Sequence, residues 1–145
     1  MITAEHQQPP TETEWAAPDR ALCTLPVTPA AAPVLRRFAR TTAQRWSLSE
    51  DVHDALGVVV TELVTNVILH SGSPHVTLWL QLAEDVLRVE VRDGGRWQLC
   101  PAPHRDPDAE YAECGRGLAL VEAHAARTAV RLGPEGTTMV ADLAL

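Results

Sequence analysis

Lysine is absent from this chain, and all twelve basic residues are arginine. That absence excludes a Walker A phosphate loop and the lysine-dependent site of eukaryotic-type protein kinases, since both place an ammonium group on the phosphates. Cysteine is sparse: Cys23, Cys100 and Cys114 are odd in number and have no CxxC spacing. They outline neither a disulfide framework nor a zinc site, and a reducing cytoplasm is the simplest compartment. No apolar run reaches the roughly 18 residues a membrane helix needs, and the polar, Pro-containing N-terminus lacks a signal-peptide pattern, so a soluble protein is expected. A net charge of −7 with a pI near 5.3 leaves no basic footprint for direct nucleic-acid binding. The charge points instead to protein partners and a metal-neutralised anion.

The 145 residues suffice for one folded domain. Met1 to Arg20 mixes Glu, Gln, Thr and Pro around a single Trp15, too little apolar surface to offset the entropy of ordering, and reads as a mobile tail. Residues 21–145 form the domain. A short strand is expected over Ala21–Val27. A helix after Pro29–Pro33 carries Val34, Leu35, Phe38, Ala39, Thr42 and Trp46 on one side. Ser47 with Glu50 has the spacing of a capping box for a second helix, which Ser71-Gly72-Ser73-Pro74 ends.

Two alternating strands follow as a hairpin, Val76/Leu78/Leu80/Leu82 and Leu87/Val89/Val91. Next, a run over about residues 99–114, with Pro101, Pro103 and Pro107, is too long and polar for a tight connection and reads as a lid. A third helix from Gly117 to about Arg127, a strand over Val130–Leu132 and a final strand with Met139, Ala141, Leu143 and Leu145 on one face complete the pattern.

Three segments carry chemistry. In the second helix Val52, Leu56, Val59, Val60, Leu63 and Val67 form a core stripe, while Glu62, Asn66 and His70 follow i, i+4, i+8 along its border. The plain alternative is that Glu62 and Asn66 are tolerated edge residues and that His70 serves the helix C-terminus. Extending the inward series 87, 89, 91 by one step brings Asp93 to the core side, where a carboxylate needs a partner. Asp93-Gly94-Gly95 also fits a simple turn, although no strand follows directly. Gly115-Arg116-Gly117-Leu118 opens a helix, whose N–H groups and positive dipole end suit phosphates; a ligand-free loop-to-helix transition has the same spelling. His104, Asp106 and Asp108 belong to a solvated lid rather than a metal cluster, and Trp46, Trp79 and Trp97 read as packing residues.

The ordered set Glu62-Leu-Val-Thr-Asn66, Asp93-Gly94-Gly95, Gly115-Arg116-Gly117-Leu118 and Gly136-Thr137-Thr138 resembles the GHKL (Bergerat-fold) ATP-binding domain. Length and the Gly-Arg-Gly-Leu spelling point to its anti-sigma-factor serine kinase branch, as in short actinomycete regulators. The resemblance implies an α/β two-layer sandwich, a mixed β-sheet covered on one face by three helices, with ATP held between the layers under the lid. It implies that Asn66 ligates Mg²⁺ and that Glu62 orients or deprotonates the attacking hydroxyl or water. Asp93 would accept from the adenine amino group, Gly95 would let the base approach, and Thr138 would lie beneath it. Gly115, Arg116, Gly117 and Leu118 would cradle phosphate, with His70 in a supporting role.

The activity so implied is phosphorylation of a Ser on an antagonist protein, alternating with binding of a sigma factor; a homodimer is compatible with it. The remaining readings are a non-catalytic nucleotide-sensing adaptor and a detached histidine-kinase catalytic domain. The latter is disfavoured by the lack of a long preceding helix with a phosphoacceptor His.

Overall fold

The computed structural model describes residues 13–16, 18–95 and 118–145. The expected lid, Cys100, Cys114 and the Gly115-Arg116-Gly117 cradle lie outside these residues. In chain order the elements are β1 (Thr13–Ala16), β2 (Arg20–Pro26), α1 (Ala31–Arg45), α2 (Glu50–His70), β3 (His75–Leu82), β4 (Val86–Asp93), α3 (118–124), β5 (Arg127–Gly133) and β6 (Gly136–Ala144). The strands form a six-stranded sheet in the order β1-β2-β3-β4-β6-β5.

The two-layer α/β sandwich is as expected, but the sheet is antiparallel at every pairing rather than mixed. The connections explain this. One crossover helix returns a chain parallel to its first strand, whereas the α1–α2 pair between β2 and β3 returns it antiparallel. Beyond β4, the β5–β6 hairpin inserts its second strand beside β4, so that pairing is antiparallel as well.

Thr13–Ala16 was expected within the mobile tail; instead it forms the edge strand β1 against Ala21–Thr24 of β2. The composition argument weighed side chains only. The main-chain groups along the edge of β2 also need partners, and β1 supplies them. The third helix stops at residue 124 and Arg127 already begins β5, earlier than expected.

The core lies between the helices and one face of the sheet. In α2, Val52, Leu56, Val59, Val60, Leu63, Val64 and Val67 are buried, each worth about 1.5–3 kcal/mol relative to exposure. That burial holds the helix on the sheet. By length and mean hydropathy (21 residues, 1.5) α2 could also cross a membrane, but its apolar stripe is spent on the sheet as in a core helix. Facing it are Val76, Leu78 and Leu80 of β3, Leu87, Val89 and Val91 of β4, and Met139, Ala141 and Leu143 of β6, all buried. On α1 the buried set is Ala31, Ala32, Leu35, Ala39, Thr42 and Ala43; Val34, expected on that face, is exposed.

Ser47 does not cap α2. It sits at φ 55°, the left-handed position just past the end of α1. Its N–H donates to the Gln44 carbonyl (3.0 Å) and that of Leu48 to Ala43 (3.0 Å), a Schellman termination. Ser49 is the N-cap of α2, accepting from the Val52 N–H at 3.3 Å.

The helix-free face of the sheet carries charge. Arg88 donates from Nε and Nη2 to the two carboxylate oxygens of its ladder partner Asp142 (2.8 and 3.0 Å). That bond, aided by the guanidinium's charge and opposed by burial, holds the Asp142 carboxyl below the ordinary aspartate range.

Candidate functional site

β4 ends at Asp93 on the helix-covered face, as the parity of 87, 89 and 91 predicts, and the residue is buried. Its Oδ1 accepts the Gly95 N–H at 2.7 Å, so the side chain shapes the turn that follows it. A carboxylate offers about four lone-pair positions, and this turn bond uses one. Across the ladder stands Thr137, also buried, whose hydroxyl donates to the Gly95 carbonyl at 3.1 Å.

The turn is wedged against the end of α2. A Cβ on Gly95 would lie 1.9 Å from the Ser71 carbonyl oxygen, and one on Gly136 (φ 140°) 1.9 Å from that of Asp93. Both positions therefore require glycine, and for Gly95 the reason seen here is chain packing. Ser71 and Ser73, both buried, tie the segment together. The Ser73 N–H donates to Ser71 Oγ (3.0 Å), the Gly94 N–H donates to Ser73 Oγ (2.9 Å), and that hydroxyl donates to the His75 carbonyl (2.7 Å).

These contacts set a scale along α2. From Ser71, where the Asp93 turn abuts, Asn66 lies about 7–8 Å back along the axis and Glu62 about 13–14 Å, at 1.5 Å per residue. Both are half-buried on one border of the core stripe. Glu62 opens onto a cavity of about 840 Å³ over α1 and α2, shared with Arg36, Arg40, His53, Asp54 and His124. Asn66 is not among the residues that line this cavity. His70, the last residue of α2, is exposed.

Two expected placements need adjustment. Thr138 pairs with Arg92 and Arg131 on the helix-free face; Thr137 is the threonine beside Asp93. Extending the inward series 143, 141, 139 back by one step would have identified it. Leu118, the first described residue of α3, packs partly buried against the core. Thr137, Ser71 and Ser73 are the residues that sequence reading missed; the serines stood in the helix stop signal but gave no sign of their bonds to the turn.

The described residues contain no group of three or more His, Cys, Asp and Glu side chains able to hold a metal ion. A cation here would draw on an amide oxygen, phosphate oxygens and water, which is the ligand set Mg²⁺ accepts. Asn66 is a donor of that kind.

A helix pair laid on an antiparallel sheet, with a buried carboxylate at a strand end beside a half-buried polar helix border, defines a two-layer α/β sandwich. The sequence profile of the histidine kinase-like ATPase domain matches residues 25–142, and the chain belongs to that family. Family membership implies ATP as the nucleotide. A solved structure of the RsbU and RsbW domains of Rv1364c from Mycobacterium tuberculosis is similar in fold. It has a TM-score of 0.65 and 20% identity over 87% of this chain, which spans 33% of the other. Comparison with curated proteins returned no match.

Proposed function

We propose that the chain is an ATP- and Mg²⁺-binding regulator that phosphorylates a serine on an antagonist protein and, in another state, holds a sigma factor. The observation that carries this reading is the order of groups along α2: the Asp93 turn at its C-terminal end, then Asn66, then Glu62. That is the order of base, bridging phosphates and terminal phosphate in an extended nucleotide. Asp93 would accept from the adenine amino group with Thr137 and Gly95 framing the base. The carboxamide oxygen of Asn66 would hold Mg²⁺, which when bound offsets phosphate charge. Glu62 would accept the proton of the incoming serine hydroxyl. Its position on a cavity of about 840 Å³ supports catalysis over simple sensing, because a base buried away from any opening could not meet a group delivered by another protein.

The similarity to a structure containing an RsbW domain together with an RsbU domain supports a place in protein-based regulation. The absence of lysine means that arginine or main-chain N–H groups must complete the phosphate contacts. We assign the protein to the cytoplasm, in keeping with the buried Cys23, which forms no disulfide with the described residues.

The test is calorimetry with ATP and ADP, each with Mg²⁺, followed by capture of cellular partners with and without ATP. Micromolar-range nucleotide binding and an ATP-dependent exchange of partners are expected. Absence of nucleotide binding would refute the reading. Binding and exchange without any transfer of the γ-phosphate would replace the kinase with a nucleotide-sensing adaptor.

A further inference from the structure

A second cavity lies on the opposite, helix-free side of the sheet, behind the Asp93 turn. Its volume is about 510 Å³ and its walls include Thr77, Arg92, Thr138 and Arg131. These four form a single ladder row, Thr77 opposite Arg92, Arg92 opposite Thr138 and Thr138 opposite Arg131. The two arginines are thus two strand spacings apart, about 10 Å between Cα atoms, with a hydroxyl between them and another beside Arg92. Side chains at matching ladder positions share a face, so both guanidinium groups can reach a ligand in the cavity.

Their pairing leaves donors over. Arg92 directs Nε and Nη2 to one oxygen of Glu90 (3.1 and 2.8 Å) and lies over the Trp79 ring at 5.1 Å, which fixes its plane while Nη1 bonds to none of the described residues. Arg131 is exposed and makes no hydrogen bond or ion pair with the described residues. The carboxylate of Glu135, at the rim, is the opposing charge; Asp93 borders the cavity, but its side chain belongs to the other face. In a chain of net charge −7, this cavity brings two guanidinium groups to one ladder row, with Glu90 engaged by Arg92 and Glu135 at the rim.

We propose that this cavity binds a phosphoryl group, donated either as free inorganic phosphate or on a phosphorylated side chain. Planar guanidinium groups with leftover N–H donors and the Thr138 hydroxyl between them match the several acceptor oxygens of a phosphate, while the Thr77 hydroxyl beside Arg92 is hydrogen-bonded to that of Thr24 (2.7 Å). The site is separate from the nucleotide site on the helix-covered face and does not depend on it. The two meet at the turn, where Asp93, Gly94 and Gly136 also line the cavity.

The experiment is an amide NMR titration of the full chain with inorganic phosphate and, in parallel, with a phosphoserine peptide. Saturable shifts are expected at Thr77, Arg92, Arg131, Thr138 and Gly136. Peptide binding much tighter than phosphate would identify a phosphorylated side chain as the ligand, and equal affinities would identify the free ion. R131Q should weaken binding about tenfold, the loss of a charge-assisted hydrogen-bonding group. E135Q should tighten it. R127Q, on the same strand and face but at the far end, should change it less than about twofold, with all three variants melting near wild type because these side chains are exposed. Saturable shifts confined to other residues, no saturation, or equal weakening by R127Q and R131Q would overturn the proposal, the last result indicating diffuse charge only.

Discussion

Thr137 stands opposite Asp93 in the β4–β6 ladder, and its hydroxyl donates to the carbonyl of Gly95, the residue whose N–H donates to the Asp93 carboxylate. Two strands thereby hold one turn from both sides, and the carboxylate is presented on the core side without a freely rotating side chain. Asp93→Asn should lower ATP affinity by about tenfold or more, since a charged acceptor is lost. Thr137→Val should cost about 1 kcal/mol of stability and a smaller share of affinity. Calorimetry and thermal melts check both, and undiminished ATP binding by Asp93→Asn would remove the adenine assignment.

Gly95 and Gly94 are neighbours with opposite tolerances. A Cβ on Gly95 would collide with the Ser71 carbonyl at 1.9 Å, whereas on Gly94 the nearest atom is Ser73 Oγ at 3.5 Å. Gly95→Ala should therefore lower the melting temperature by about 5 °C or more and impair nucleotide binding, with Gly94→Ala within about 1 kcal/mol of wild type. Equal melting of the two variants would contradict this geometry.

Asn66 is half-buried on the border of α2, so its truncation removes a polar group without opening the core. Asn66→Ala should lose most of the Mg²⁺-dependent gain in ATP affinity and keep the fold. ATP titrations with Mg²⁺ and with EDTA provide the measure; the same Mg²⁺ dependence in both proteins would exclude Asn66 as a ligand.

Glu62 faces a cavity that a partner segment can enter. Glu62→Gln should abolish γ-phosphate transfer to a cognate antagonist, by about a hundredfold or more for loss of a general base, while ATP binding changes little. Radiolabelled transfer assays decide the matter, and transfer at the wild-type rate would reassign the proton acceptor.

The Arg88–Asp142 pair predicts an acid-sensitive contribution to stability. Because Asp142 is held below its unfolded value, that contribution is fully present above about pH 3.9 and fades as the pH falls through the lower, folded value. The Arg88 side chain is about one-third exposed, so the pair should be worth no more than about 1–2 kcal/mol. Asp142→Asn should melt below wild type at neutral pH, and the gap should close below about pH 3.9. A gap independent of pH would show that the charge plays no part.

Much of this protein followed from one-dimensional pattern. The period of Val52, Leu56, Val59, Val60, Leu63 and Val67 identified the core helix, and strand parity turned Asp93 inward, because helix and strand periods are local properties of the chain. The same parity, counted back from Leu143, would have selected Thr137 over Thr138. Other features depended on contacts distant in sequence. The antiparallel sheet follows from where β6 inserts, β1 exists because β2 has an open edge, and Ser47 is set by the end of α1 rather than the start of α2. The need for glycine at 95 comes from Ser71, 24 residues earlier (95 − 71), and the row of Thr77, Arg92, Thr138 and Arg131 arises from four separate strands. Local periodicity determines which face a residue takes, but only packing of distant segments decides what that face meets.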